Sequence, residues 1–320
     1  MITVVHLDSL SGVNYHRLIV PLRRLQSQGV NLHWIQSLAE LKDMNLDLVD
    51  NLIVSRKVSV NNHKEFSRML KKHGVRLILD NDDYWVLNPE NPAKKAYEIY
   101  YGPDIKKTIK IADVIWTPST YLAKLMKDEN QKATIEFVNN AIDITEEQWA
   151  EQSKRRSSAV RFGYVGALAH IHDVKSIGYD FSNVYTFGVE GMEYDDIFKY
   201  NKTSPPREIW HYGKLYREFD VSLVPLVGNR FNWSKSDLKI TEAAVTKTAV
   251  IATNTRPYNS VIVDGETGIL VSDQQQWKEA IESMDKKKAK KLGQNLHESL
   301  KDSPNHNLDL VNEKRLKYLV

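Results

Sequence analysis

The feature that most constrains this chain is the regular alternation of two hydrophobic periods along nearly its whole length. Runs rich in Val, Ile and Leu occur at 2–7, 30–35, 51–56, 75–80, 113–118 and 134–138. Their apolar residues fall in both phases rather than at every second position. That pattern marks strands covered on both faces, as in parallel sheets. Helical segments lie between them. In 63–74, Phe66, Met69 and Leu70 share a face, and Gly74 sits just past the helix end. Residues 119–128 open on a Ser/Thr cap and repeat Leu122, Leu125 and Met126 at helical spacing. Strands alternating with helices imply βαβ units and a parallel sheet.

The second half repeats the plan. It reads as strands at 160–166, 183–189, 207–212, 220–226, 249–254 and 267–272, with helices at 234–248 and 274–284. The polar, mixed-charge stretch 145–158 reads as a linker. The expected fold class is therefore α/β, with two doubly wound domains facing across a cleft, over 1–150 and 158–306. An amphipathic helix at 307–320 must dock elsewhere to be stable. A length of 320 residues suits two domains of about 150 residues each. A hydrophobic fraction of 42% excludes a disordered or fibrous chain. The absence of cysteine excludes a disulfide scaffold, a thiolate metal site and a cysteine nucleophile. No run approaches the roughly 20 apolar residues that span a bilayer, and the N-terminus enters a strand directly, so the expected location is cytoplasmic. The net charge of +3, from 44 basic and 41 acidic residues, neither demands nor forbids a polyanionic partner.

Ligands of open α/β sheets bind outside the carboxyl ends of the strands, so the cleft is where chemistry is expected. After the first strand, Gly12 lets the backbone approach a ligand, and His16 and Arg17 in the first helical turn could face an anion. A plain βα turn is the alternative. Pro21 is expected to kink this helix. Asp80, Asp82 and Asp83 cluster at a strand end, where mutual repulsion requires hydroxyls, a cation or N–H groups to stabilise them. An Asx turn and a metal site are the other readings of that segment. In 163–177, Gly166 could admit a phosphate or sugar and His170 or His172 could donate to it; a helix cap or surface histidine is the bland alternative. In 224–244, Arg230, Lys235, Lys239 and Glu242 surround a helix start. Lysines there favour a phosphate, and a carboxylate one turn deeper can accept from two ribose hydroxyls. A solvated helix with an internal salt bridge fits that spacing equally well. The loop 264–268 reads as a structural turn and the lysine run 285–291 as a solvated face.

In their order along the chain, SGVNYHRLIVPLRRL (11–25), LDNDDYW (79–85), ADVIWTPSTYLAKLM (112–126), FVNNAID (137–143), FGYVGALAHIHD (162–173), FDVSLVPL (219–226), KSDLKITEAAVTKTAVIAT (235–253) and DGETGILV (264–271) resemble the group-1 retaining glycosyltransferases of GT-B fold, in a compact form like that of phage-type members. The resemblance implies two Rossmann-like domains, the second binding a nucleotide-sugar donor and the first an acceptor. It implies Gly12, Lys235, Lys239 and Glu242 at the donor; Gly166 joins them from the turn pattern, and Arg230, Lys235 and His170 are the expected substitutes at the two departing positions named below. Tyr15, His16, Arg17 and Asp80 would meet the acceptor, and Asp82, Asp83, His170 and Lys239 would serve the chemistry. A UDP-sugar is the expected donor, with no other cofactor and no metal required. The acceptor is a saccharide or a hydroxylated DNA base; Arg56, Lys57, Arg68, Lys71, Lys72, Lys106 and Lys107 could track phosphates of the latter. The terminal helix would cross back onto the first domain. Two positions depart from the family pattern: Ser234 stands where an acid is common, and Ala167 where an arginine is common. A nucleotide-sugar epimerase, a non-catalytic nucleotide-sugar binding protein and an inactive relative remain open as other readings.

Overall fold

The computed structural model describes residues 1–88, 90–91, 93–150, 154, 157–166, 170–183, 185–189, 202–204 and 207–320, with the backbone alone for 183, 185–189 and 202–204. The first sheet holds β1 (Thr3–His6), β2 (Leu32–Ile35), β3 (Asn51–Ser55), β4 (Arg76–Asp80), β5 (Val114–Thr117) and β6 (Thr134–Phe137) in the order β2-β1-β3-β4-β5-β6. The second holds β7 (Arg161–Gly163), β8 (Tyr185–Val189), β9 (Lys202–Ser204), β10 (Val221–Val224), β11 (Ala249–Thr253) and β12 (Ile269–Val271) in the order β12-β11-β10-β7-β8-β9. Every pairing in both sheets is parallel.

The double-phase hydrophobicity has a direct structural cause. Leu52 and Val54 of β3 enter the core on one face of the first sheet, while Ile53 enters the core on the other. In the second sheet Val250 and Ala252 of β11 face one layer and Ala249 and Ile251 the opposite one. The chain reverses direction across the first sheet between β1 and β3, and across the second between β7 and β10. Crevices open at such points, beyond the strand ends.

Three expectations are corrected. Residues 207–212 are not a strand: they form turns leading into a 3₁₀ helix at Tyr212–Glu218, and the remaining strand of the second sheet is β9. The buried pair Leu215 and Tyr216 decides this, because a 3₁₀ turn directs both into the core. The helix expected over 234–248 is shorter, Leu238–Val245, and a separate short helix, Arg230–Trp233, precedes it. Of the four residues between them, Ser236 and Asp237 are held by side chains of the first lobe, as described below, and this keeps the two helices apart. Pro21 produces no sharp kink of the usual kind. Instead the helix is α over Gly12–Asn14, π over Tyr15–Ile19 and α again over Val20–Ser27. Proline has no N–H to donate to the carbonyl of Arg17, and that oxygen accepts from Arg315 Nη2 at 3.1 Å instead.

Arg315 belongs to the terminal helix Leu308–Leu316. This helix buries Leu308 and Val311 with Val5, Leu18 and Leu22 of the first lobe, and Asn312 donates to the Pro21 carbonyl at 3.0 Å. The last turn follows, where Asn51 Nδ2 donates to the Tyr318 carbonyl at 3.0 Å. The C-terminal segment is thus part of the helical layer of the first lobe. No helix among the described residues is long and apolar enough to cross a membrane.

Candidate functional site

Asp80 ends β4, and Arg17 in the π turn grips it with two hydrogen bonds, Nε to Oδ1 at 2.5 Å and Nη2 to Oδ2 at 2.8 Å. Both side chains are 1% exposed. Arg17 Nη1 also donates to the Val138 carbonyl and to Asn140 Oδ1, each at 3.0 Å. In this structure neither residue presents itself to an acceptor, contrary to the sequence expectation. The planar guanidinium has donors enough to join three segments, and the widened π turn aims it inward. His16 is also buried; burial pushes its imidazole down to about 4, and its Nε2 has no hydrogen-bond partner. Its ring lies against Tyr15 and Trp149. The Tyr15 hydroxyl donates to the Glu146 carboxylate and accepts from Gln148 Nε2.

Asp83 points the other way, toward the second lobe, and the charges of Asp82 and Asp83 are met by Arg56, which the sequence placed only among the basic positions. Arg56 follows β3 with a left-handed φ of 57°, uncommon for a side chain of this size. Its Nε donates to Asp82 Oδ1 at 2.9 Å and its Nη2 lies 2.7 Å from Asp83 Oδ2. Lys235 Nζ, from the second lobe, donates to Asp83 Oδ1 at 2.5 Å. Burial alone would raise the Asp83 carboxyl, but Arg56 and Lys235 together hold it well below the usual carboxylate range. The Asx reading also holds, since Asp83 N donates to Asn81 Oδ1 at 3.3 Å. Among the described residues no group of three or more His, Asp or Glu side chains could hold a metal ion.

On the second lobe, Lys235 lies in the turn between the two short helices, with Nζ 4.1 Å from the centre of the Phe231 ring. Lys239 is in the first turn of the Leu238–Val245 helix, so the two lysines approach the site from a turn and a helix rather than along one helical face. Lys239 Nζ donates to the Val165 carbonyl and lies 5.2 Å from the centre of the Tyr164 ring. Burial lowers its ammonium, opposed by Glu242 and Asp173. Gly166 makes a close approach here: a Cβ would stand 2.4 Å from the Tyr164 hydroxyl and 3.0 Å from Lys239 Nζ, so both side-chain tips would have to shift. Glu242, one turn along, accepts from the Tyr216 hydroxyl at 2.7 Å and the Tyr212 hydroxyl at 3.2 Å. Burial raises its carboxyl, opposed by Lys239 and the two hydroxyls. His170 Nδ1 bonds Asp173 Oδ2 at 2.7 Å; the other oxygen of Asp173 accepts from Asn232 Nδ2 at 2.7 Å and from Val227 N at 2.8 Å. Burial lowers the His170 imidazole, with the Asp173 bond opposing. Arg230 is exposed at its helix start, His172 is exposed, and Ser234 is fully buried with its hydroxyl on the Arg230 carbonyl. Ala167 lies outside the described residues.

The two half-sites are joined at the helix mouth. Asn140 Nδ2 donates to Ser236 Oγ at 2.6 Å, Asn139 Nδ2 donates to Asp237 Oδ1 at 3.0 Å, and His306 Nε2 lies 2.9 Å from Asp237 Oδ2. A polar chain therefore runs Asp80–Arg17–Asn140–Ser236 from one lobe to the other. Gly12 belongs to the same region: a Cβ on it would stand 3.4 Å from Cδ1 of Ile209 in the second lobe. The structure thus brings Gly12, Asp82, Asp83, Gly166, Lys235 and Lys239 to the strand-end face between the lobes. Sequence reasoning missed Arg56, Asn139, Asn140, Tyr212, Tyr216 and Asp237. Of these, only the Asn-Asn pair inside FVNNAID carried a readable signal, as two polar residues at a strand end.

Residues 208–286 match the family model described as Glycosyl transferases group 1, a stretch that includes Tyr212, Tyr216, Arg230, Lys235, Lys239 and Glu242. No curated protein sequence matches the chain. Among solved structures, the chain is similar to a glycosyltransferase from Rickettsia africae, at 14% identity and a TM-score of 0.61, over 99% of this chain and 97% of that one. It is similar to HepE of Anabaena in complex with UDP, at 11% identity and a TM-score of 0.62, over 99% of both chains. Similarity to S. aureus TarM in complex with UDP, at 12% identity and a TM-score of 0.58, spans 88% of this chain and 57% of that one.

Proposed function

We propose that this chain, which has the GT-B fold and matches a group 1 glycosyl transferase model over residues 208–286, moves a sugar from a UDP-sugar to a hydroxyl acceptor with retention of anomeric configuration. One observation carries the reading. Lys235 and Lys239 flank the mouth of the Leu238–Val245 helix, Glu242 lies one turn inside it, and the carboxylates of Asp82 and Asp83 stand opposite. A diphosphate suits two ammonium groups at a helix N-terminus, where backbone N–H groups and the dipole add to the attraction. Glu242 would take the ribose hydroxyls, and the Gly12 and Gly166 turns would let the backbone close on the phosphates. The solved HepE structures hold UDP or UDP-glucose, which supports this class of donor.

The demanding step is departure of the diphosphate as an oxocarbenium-like sugar develops. Lys239 and Lys235 would stabilise the leaving charge, in a dry site where such stabilisation is largest. The acceptor hydroxyl would attack from the same face and pass its proton to the leaving phosphate, so no protein nucleophile is needed. His170, whose Nδ1–H is held by Asp173, would accept from a sugar hydroxyl at Nε2. Asp83 would orient the acceptor hydroxyl once Lys235 turns to the diphosphate, and Asp82 would stay with Arg56. Carboxylates on the acceptor side accept from sugar hydroxyls and repel phosphates, which favours a saccharide over a DNA base as acceptor.

The test is incubation with a panel of nucleotide sugars, with and without glycans or hydroxymethylated DNA, following nucleotide release. Release that rises with a glycan supports the proposal. Conversion of the donor sugar without release would make the protein an epimerase, and binding without consumption would make it a non-catalytic binder. Full donor affinity in a Glu242→Ala variant would overturn the ribose assignment.

A further inference from the structure

The first lobe has a second concave surface, at the opposite end of its sheet from the face between the lobes. It is a hollow of about 860 Å³ beside the amino ends of β4, β5 and β6, where Arg76, Val114 and Thr134 begin those strands. On one wall Lys64, Arg68 and Lys71 project from the helix His63–Lys72. Their spacing of four and then three residues puts them in one stripe about 10 Å long, with neighbours roughly 5–6 Å apart. Lys132 lines the hollow from the turn before β6, and all four side chains are exposed. None of the four has a carboxylate partner among the described residues. By contrast Lys110 and Lys317, also on the lining, lie 3.8 Å from Glu129 and 3.4 Å from Glu136. The one carboxylate on the lining, Asp113, accepts from Leu77 N at 2.9 Å.

This imbalance is local, since the whole chain carries a net charge of only +3. Ordinary surfaces intersperse both signs, and a solvated lysine face is normally convex. Here unpaired cations from two segments line one concavity. A single phosphate would call for donors converging on a point, whereas these repeat along a line and match an anion that repeats. A membrane is also disfavoured: a hollow cannot lie flat on a bilayer, and none of the exposed large hydrophobic residues lines it.

We propose that this groove holds the phosphodiester backbone of a nucleic acid strand, by charge and without reading its sequence. The surface is separate from the face between the lobes, so the inference does not depend on the sugar-transfer reading. With four phosphate contacts on a single strand, log K should fall against log salt with a slope of about −3.

The experiment is fluorescence anisotropy of a labelled 20-nucleotide DNA strand titrated with the full chain between 50 and 200 mM salt. The comparison is with Lys64→Glu/Arg68→Glu/Lys71→Glu/Lys132→Glu and with the gentler Lys64→Gln/Arg68→Gln/Lys71→Gln/Lys132→Gln. Thermal melting and UDP binding of both variants report whether the lobes remain folded. The expected result is a loss of at least about tenfold in affinity at 50 mM salt in the glutamine variant, with a slope shallower by about 3. Unchanged DNA affinity in that folded variant overturns the proposal. So does tighter binding to phosphatidylglycerol vesicles than to DNA that the same substitutions abolish, which would make the groove a membrane contact.

Discussion

The two lobes dispose their charged groups in opposite ways. In the first, the charged groups are satisfied mainly from within: Arg17 closes on Asp80, and Arg56 on Asp82 and Asp83. In the second, the cations rest on partners that a ligand can replace, Lys239 on a backbone carbonyl and Lys235 on a carboxylate of the other lobe. The lesson concerns division of labour. A buried, paired charge is expensive to disturb and suits a frame, whereas a cation on a neutral or borrowed acceptor is available for a diphosphate.

The sharpest way to break that comparison is Arg17→Met. It would leave Asp80 buried without its guanidinium, and about 3–5 kcal/mol of stability should be lost in urea unfolding. A loss below about 1 kcal/mol would mean that the internal pair does not brace the first lobe. Lys239→Met should act on the other side of the comparison. Turnover of a UDP-sugar, as kcat/KM, should fall about 10²–10³-fold with little change in melting temperature. A large loss of stability with unchanged kcat/KM would show Lys239 to be structural.

Acid should expose the buried frame of the first lobe a third way. The His16 imidazole is lowered from 6.5 to about 4, so the unfolded chain binds its proton first as pH falls. Stability from this group is therefore complete above pH 6.5, declines as pH falls toward 4 and stays lost below it, by about 3 kcal/mol in all. Urea midpoints between pH 7 and pH 4 should fall in the native protein and fall less in His16→Phe. The smallest effect is expected at the junction of the lobes. Asp83→Asn removes the carboxylate that holds Lys235, so the Kd for UDP should tighten about fivefold, near 1 kcal/mol, while sugar transfer slows. Calorimetry showing weaker UDP binding would indicate that Asp83 orients Lys235 for the donor rather than competing with it.

Much of the frame was legible in local pattern. A strand such as β3 is apolar in both phases because Leu52 and Val54 serve one layer and Ile53 the other, and such a run needs no distant information to recognise. The segment 207–212 misled because Ile209, Trp210 and Tyr212 imitate a strand, while the buried positions that settle its form come later, at Leu215 and Tyr216. The late start of the helix expected over 234–248 was equally hidden, since Ser236 and Asp237 are suitable helix-start residues and only Asn139 and Asn140 reveal their use. At the site, the glycines, lysines and acids could be nominated from spacing at strand ends and a helix mouth. Which of them face the space between the lobes could not. Arg17 and Asp80 looked like site residues because both lie at strand-end turns, yet they are 63 positions apart and find each other inside the lobe.

From its amino-acid order alone this protein was bound to form two parallel α/β layers with glycine and polar turns at their strand ends, because periodicity and turn residues act over a few positions along the chain. Only the folded molecule decided that Arg17 braces rather than binds, that Arg56 governs Asp82 and Asp83, and that Lys235 reaches across to the other lobe. Charged side chains are long enough to choose among several partners, and burial together with packing between distant segments makes the choice.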